Sequence, residues 1–231
     1  MTGSLLLLAV ASLLFVGSHI VLSIRAVRAP LVAVMGEPLF RGLYSMLALA
    51  LIVWMVMAYN AAPFVEIWHP ATGWRHLSLT LMVPAAILVV GGITTPNPTS
   101  AGTDTREMAA RGPIGMAKIT RHPIMWGIGL WGVSHLLANG DAAGMLLFGS
   151  LSALALFGPL AIDAKRRASM GTDWERFAAK TSYLPFAAMV AGRTRLRFSE
   201  IGWWRIGLGV ILYALLLWSH PWLFGVNPLP F

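Results

Sequence analysis

Six histidines and no cysteine bound the chemistry open to this chain. Without thiols, disulfides, iron–sulfur clusters, thiolate haem ligation and Cys-zinc sites are excluded. A metal would rest on imidazole, which in its neutral form suits iron, copper and zinc. Two histidines, His19 and His135, fall in long apolar stretches. An ionisable side chain there is costly and marks a functional site by default. Ser12, His19 and Ser23 share one helical stripe, which should face protein rather than lipid. His135 closes an i, i+4, i+8 series with Gly127 and Trp131, with Gly129 and Gly132 alongside. Small residues around an imidazole leave room for a flat macrocycle. A hydrogen-bonded packing role is the plain alternative for either histidine taken alone. His69 reads as solvated in a loop, and His76 and His220 as interfacial.

Two imidazoles on separate helices fit bis-His haem b. The other pairings open to a metal are His122 with His19 at one membrane face, or His76, His135 and His220 at the other. Depth sets a condition on the first pair. At 1.5 Å per residue, His19 lies roughly 9 Å along its helix from Arg25, and His135 roughly 21 Å from Arg121. Helix tilt, or a first helix continuing to Arg28, would close part of that gap. The spans are nearly free of carboxylates, which argues against a di-iron carboxylate site.

The second dense cluster is Arg121-His122-Pro123-Ile124-Met125-Trp126-Gly127. A cation, an imidazole and a helix-starting proline stand together, and the free N–H groups of a helix start favour an anion. The plain alternative is a basic, proline-capped helix start.

These residues must be positioned by membrane helices. Hydrophobic residues make up 57% of the 231 and charged residues 11%, against roughly 25% charged in an ordinary soluble domain. That balance excludes a disordered chain, a coiled coil and a typical soluble enzyme. Six stretches approach the roughly 20 apolar residues a span needs: 4–24, 42–62, 76–93, 124–138, 142–162 and 206–219. The first has neither a basic start nor a small-residue cleavage site, so it reads as part of the mature protein. The formal charge is +8. Arg75 apart, every Lys and Arg lies between spans one and two, three and four, or five and six, or at the start of span six. The positive-inside rule then places those loops in the cytoplasm and both termini outside, in the periplasm if the membrane is a bacterial inner membrane. No basic stripe is interleaved with exposed aromatics, so nucleic acid is not an expected partner. Thr172-Asp173-Trp174-Glu175 reads as a capping box. It opens an amphipathic helix over 173–181 at the cytoplasmic membrane surface. The 94–121 loop, rich in Pro, Gly, Ser and Thr, reads as a mobile segment or a cover over a site.

The chain resembles the NnrU family and, more distantly, the zeta-carotene isomerases of plants and cyanobacteria. The resemblance rests on His19 followed by Arg25, Gly36-Glu37 and Arg41, and Trp74-Arg75-His76. It is strongest in Ile119 to Pro123, Trp131 to His135 and Thr181 to Phe186, and ends in His220-Pro221. It implies a small polytopic membrane protein associated with denitrification. By the isomerase likeness it also implies haem b held by His19 and His135, with isomerisation of a carotenoid double bond. Gly132 stands where the isomerase has a cysteine, which removes a thiolate switch. The Arg-His-Pro element also resembles the isoprenylcysteine and phospholipid methyltransferases, which use S-adenosylmethionine. Asp163 and 171–185 partly echo their pattern.

The expectation is an all-α, polytopic membrane bundle of about six helices in a single domain over 1–231. A basic cytoplasmic loop over 163–202 carries the amphipathic helix. Haem b would be bound through His19 and His135, with Arg121, His122 and Gly127 shaping its cytoplasmic side. The expected ligand is hydrophobic or a small gas. Competing readings are an S-adenosylmethionine methyltransferase and a non-enzymatic partner of another membrane protein.

Overall fold

A computed structural model describes residues 3–99 and 105–229. Positions 1–2, 100–104 and 230–231 lie outside the described residues, and with them the extreme termini and part of the 94–121 loop. Among the described residues all regular structure is helical, apart from one isolated bridge between Glu66 and Asp141.

Six longer helices occupy the expected apolar stretches: α1 (Leu5–Val21), α3 (Glu37–Ala61), α4 (Thr72–Thr94), α7 (Pro123–Asn139), α8 (Ala142–Met170) and α12 (Trp203–Phe224). Shorter ones fill the connections: α2 (Arg25–Met35), α5 (Thr105–Arg111), α6 (Met116–Ile119), α9 (Thr172–Ala179), α10 (Ala187–Val190) and α11 (Phe198–Ile201). Among the described residues, four helices (α3, α4, α8 and α12) are long and apolar enough to cross a membrane. The α1–α2 pair, bent by 78°, makes a fifth if taken as one broken span. α1 and α7, at 17 residues each, are shorter than the usual span. Large apolar side chains such as Met46, Leu49, Trp218 and Trp222 are exposed along α3 and α12, as they would be on a surface solvated by lipid.

Local sequence explains the breaks. Ser4 caps α1 by accepting from the Leu7 N–H at 3.1 Å. α1 stops at Val21 because Ile24 is extended and the Ser23 hydroxyl turns back to the His19 carbonyl (2.5 Å). The first helix therefore does not continue to Arg28, and Ser23 is exposed rather than on a buried stripe. The tight turn at Asn139-Gly140-Asp141 forms. Gly140 takes φ +70°, and a Cβ there would stand 2.1 Å from the Trp68 carbonyl oxygen. Asp141 caps α8 through the Gly144 N–H at 2.8 Å.

The helices close on each other through glycines. A Cβ on Gly127 would meet Val89 at 2.6 Å, on Gly129 Leu156 at 2.5 Å, and on Gly132 the Ser152 hydroxyl at 2.1 Å. These residues let α7 approach α4 and α8, the usual role of small residues between membrane helices. The room expected beside His135 at Gly129 and Gly132 is thus filled by α8. A buried cluster of Leu8, Phe15, Met55, Leu147 and Phe148 ties α1, α3 and α8.

The amphipathic helix forms as α9, but without a capping box. Its cap is Gly171 at φ +56°, so Thr172 is already inside the helix. Glu175 binds Arg167 (2.7 Å) instead of a cap N–H. Trp174 and Phe177 are buried against Ala109, Ala117 and Met170. Residues of the 94–121 loop cover the apolar face that the sequence alone would assign to lipid.

Candidate functional site

At the end of the bundle that carries the basic loops, Arg121 and His122 converge on Asp163. Pro123 starts α7, which makes His122 its cap residue and leaves Arg121 just outside. Asp163 lies near the end of α8. Its two oxygens divide the work. Oδ1 accepts from His122 Nε2 at 2.7 Å, and Oδ2 from Arg121 Nε at 2.7 Å and from its terminal nitrogen at 2.5 Å. The His122 side chain is 1% exposed and that of Asp163 12%. The carboxylate thus answers the guanidinium charge, and the imidazole donates the remaining bond.

The segment from Thr181 to Phe186 closes over this knot. The Tyr183 carbonyl accepts from the Thr120 hydroxyl (2.7 Å) and the Trp126 indole (2.8 Å). Arg121 N–H donates to the Ser182 carbonyl (3.0 Å), and Phe186 N–H to the Ile119 carbonyl (2.8 Å). The Tyr183 hydroxyl donates to the Leu156 carbonyl on α8. Burial, and secondarily the Asp163 carboxylate, push the Tyr183 phenol above its ordinary pKa. An open cavity of about 580 Å3 adjoins the knot, lined among others by Arg121, Arg167, Tyr183 and Arg193. Of the residues expected to shape a cofactor entrance, Arg121 and His122 form this ion pair, Arg121 also lines the cavity, and Gly127 packs against α4.

The apolar layer holds a different arrangement. Nδ1 of His19 donates to the Phe15 carbonyl at 2.7 Å, and Nδ1 of His135 to the Trp131 carbonyl at 2.8 Å. His220 does the same with the Val226 carbonyl at 2.8 Å. In a neutral ring a tied Nδ1–H leaves the lone pair on Nε2. No Nε2 of these three rings has a hydrogen-bond partner among the described residues. Each ring is half-buried. Three imidazoles therefore present a free basic nitrogen in surroundings where an unsatisfied polar atom is costly. That donor set fits a haem iron.

His19 touches Phe15 (ring centroids 4.4 Å) and Tyr44 (5.4 Å). His135 lies against Phe148 (4.7 Å), Trp131 (4.9 Å) and His220 (6.5 Å). Phe15 and Phe148 belong to the same buried cluster, so His19 and His135 flank it without sharing a ring neighbour. The Ser12 hydroxyl reaches the Leu146 carbonyl (3.4 Å) and sets α1 against α8. Counted from that contact at about 1.5 Å per residue, His19 lies about 10 Å toward the basic end and Phe148 about 3 Å. The depth gap anticipated from the sequence is present, and the bend after Val21 removes one way of closing it.

Of the remaining histidines, His76 is exposed, and His69 pairs with Glu66 at 3.2 Å on the surface. They do not join His135. His122, the other alternative, is held by Asp163. Among the described residues no group of three or more His, Asp or Glu could hold a metal ion. Sequence reasoning missed the Asp163 pairing and the role of Phe148. A lone acid near the end of an otherwise carboxylate-free span was the available signal for the first. Nothing in the helical period marks the second.

The fold and these polar groups define an integral membrane protein of apolar helices with a polar knot at one end. The chain belongs to the NnrU family, whose profile, described as NnrU protein, matches residues 7–228. It is similar to the chloroplastic 15-cis-zeta-carotene isomerase of Zea mays, at 34% identity over 82 residues. It is also similar to the protein of the same name from Arabidopsis thaliana, at 37% over 79 residues. These alignments cover 36% and 34% of this chain and 22% of each relative, so the chain matches about a fifth of their length. No solved structure matches.

Proposed function

We propose that this protein is a membrane-embedded cis–trans isomerase for a long apolar polyene, using haem b as cofactor. The observation that carries the reading is the tethered imidazole of His135. Its Nδ1 is tied, its Nε2 is free, and it sits among aromatic rings in a chain similar to two 15-cis-zeta-carotene isomerases. His135 would hold the iron, with His19 as the second imidazole that the resemblance implies. The haem would supply reversible electron donation to a conjugated double bond, with no net redox change. The chain's own residues do the rest. Trp131 and Phe148 pack around His135 and exclude water, and the Trp131 carbonyl holds the Nδ1 proton. The apolar helix surfaces admit a substrate from lipid. The basic loops would face the cytoplasm under the positive-inside rule.

The test uses haem-reconstituted protein in detergent with a 15-cis polyene of the zeta-carotene type. Products are separated by chromatography under reducing and oxidising conditions. Conversion to the trans isomer, lost in His135→Ala, supports the reading. No conversion by haem-loaded protein in either redox state overturns it.

A further inference from the structure

We propose that the cavity beside the Arg121–Asp163 knot holds the phosphate of an anionic membrane lipid, drawn from the leaflet that meets the basic loops. The site is separate from the imidazole layer and does not depend on the cofactor reading. Three observations lead to it.

The first is a set of guanidinium groups that are held in place yet only partly used. Arg121, Arg167 and Arg193 all line the cavity. Arg121 gives Nε and one terminal nitrogen to Asp163. Arg167 gives Nε to Glu175 at 2.7 Å. Arg193 gives Nη1 to the carbonyls of Ala178, Ala179 and Thr181, at 3.3, 2.9 and 2.8 Å. Among the described residues, Nη1 of Arg121, both terminal nitrogens of Arg167, and Nε and Nη2 of Arg193 have no partner. Guanidinium donors match the oxygens of a phosphate, and donors already held in place lose little freedom on binding one.

The second is charge. Glu175 is the one carboxylate on the described lining, against three arginines. Asp163 offsets Arg121 and Glu175 offsets Arg167, whereas Arg193 has carbonyls alone as partners. Residues 163–202 hold eight Lys and Arg against four Asp and Glu. A basic pocket on the side of a membrane bundle that carries the basic loops is where anionic headgroups bind.

The third is an apolar rim, which favours a lipid over a soluble phosphate. Leu184 lines the cavity and is 55% exposed. Phe186 and Val190, just beyond it, are 51% and 88% exposed. The rim is fixed rather than loose. Phe186 is the one non-glycine residue at positive φ (+65°) among the described residues. Such a backbone is unfavourable for a bulky residue and persists where its surroundings hold it. Here the Phe186 N–H donates to the Ile119 carbonyl, and the Phe186 carbonyl accepts from Met189 and Val190. Acyl chains can lie over these side chains while the phosphate stays on the arginines.

The experiment incubates the full chain in mild detergent with equal amounts of phosphatidylglycerol and phosphatidylcholine, and native mass spectrometry counts the lipid retained. The proposal predicts one phosphatidylglycerol held in preference to phosphatidylcholine. Glu175→Gln frees Arg167 and removes the lining carboxylate, so it should tighten phosphatidylglycerol binding, an effect that loss of fold cannot imitate. Arg167→Gln and Arg193→Gln should each weaken it about fivefold. Lys165→Gln removes a charge from the same end but outside the lining, and should leave it unchanged. Thermal midpoints identify any variant that has lost its fold, in which case Glu175→Gln decides. Equal retention of the two lipids overturns the proposal. So does Glu175→Gln without tighter binding, or a loss in Lys165→Gln as large as in Arg167→Gln. Displacement of the lipid by an equal concentration of inorganic phosphate overturns it in favour of a soluble anion.

Discussion

Two polar regions of this bundle are built on opposite plans. At the basic end, Asp163 satisfies Arg121 and His122 together, and backbone and side-chain donors close around them through Tyr183. In the apolar layer His19, His135 and His220 each spend one ring nitrogen on a carbonyl and keep the other. The first plan is that of a structural node, because removing any member strands the others. The second is the plan we propose for a ligand site, because the unspent nitrogens gain only when something binds. Burial alone does not separate them: His122, the most buried imidazole, is the least available for chemistry.

Mutations can break this contrast. The largest effect is expected at the knot. Asp163→Ala leaves a guanidinium and an imidazole without their acceptor and should cost about 3–5 kcal/mol, read as a large fall in thermal midpoint in detergent. An unchanged midpoint would show that the knot is not structural. Gly132→Ala comes next. Its Cβ would lie 2.1 Å from the Ser152 hydroxyl and 3.0 Å from the Phe148 carbonyl oxygen, so α7 must shift from α8. Overpacking of this kind costs about 1–3 kcal/mol, and the shift would disturb the His135–Phe148 contact enough to alter any haem spectrum.

His135→Ala should change the stability of the haem-free protein by about 1 kcal/mol or less, because no buried partner is stranded. A collapse like that of Asp163→Ala would move His135 into the structural class. The smallest effect concerns a surface pair. Lys118 hydrogen-bonds Glu200 (2.5 Å) and holds its carboxyl below the ordinary pKa. A lowered folded pKa gives stability that is present above the unfolded value and lost as pH falls through the folded one. At this partly exposed site the gain is about 1 kcal/mol at most. Glu200→Gln should flatten that acid-side decline in a pH series of thermal midpoints.

Much of the architecture was legible because apolar length and charge placement are local signals. All six apolar stretches became helices, and the Asn139-Gly140-Asp141 turn and the Pro123 start formed where their residue types require. What one strand of sequence could not carry was pairing across loops. Asp163 is 41 residues from His122, and nothing in its own neighbourhood names the partner. The cover of α9 was illegible for a related reason. Trp174 and Phe177 mark an apolar face, but periodicity does not say whether lipid or α5 and α6 cover it. The glycines beside His135 show the same ambiguity. A small residue announces close approach, not what approaches, and here Ser152 and Leu156 do. The three imidazoles were all visible as residue types, whereas the contact between His135 and His220 depends on how α7 and α12 are set around α4.

The contrast between a spent and an unspent imidazole is tested most directly by one spectrum. Haemin-reconstituted wild type and His135→Ala are compared by Soret absorbance per folded protein. The account predicts a Soret band near one equivalent in wild type and its loss in a His135→Ala protein that remains folded. An undiminished band in that variant, or a wild-type protein that takes up no haemin, would contradict it.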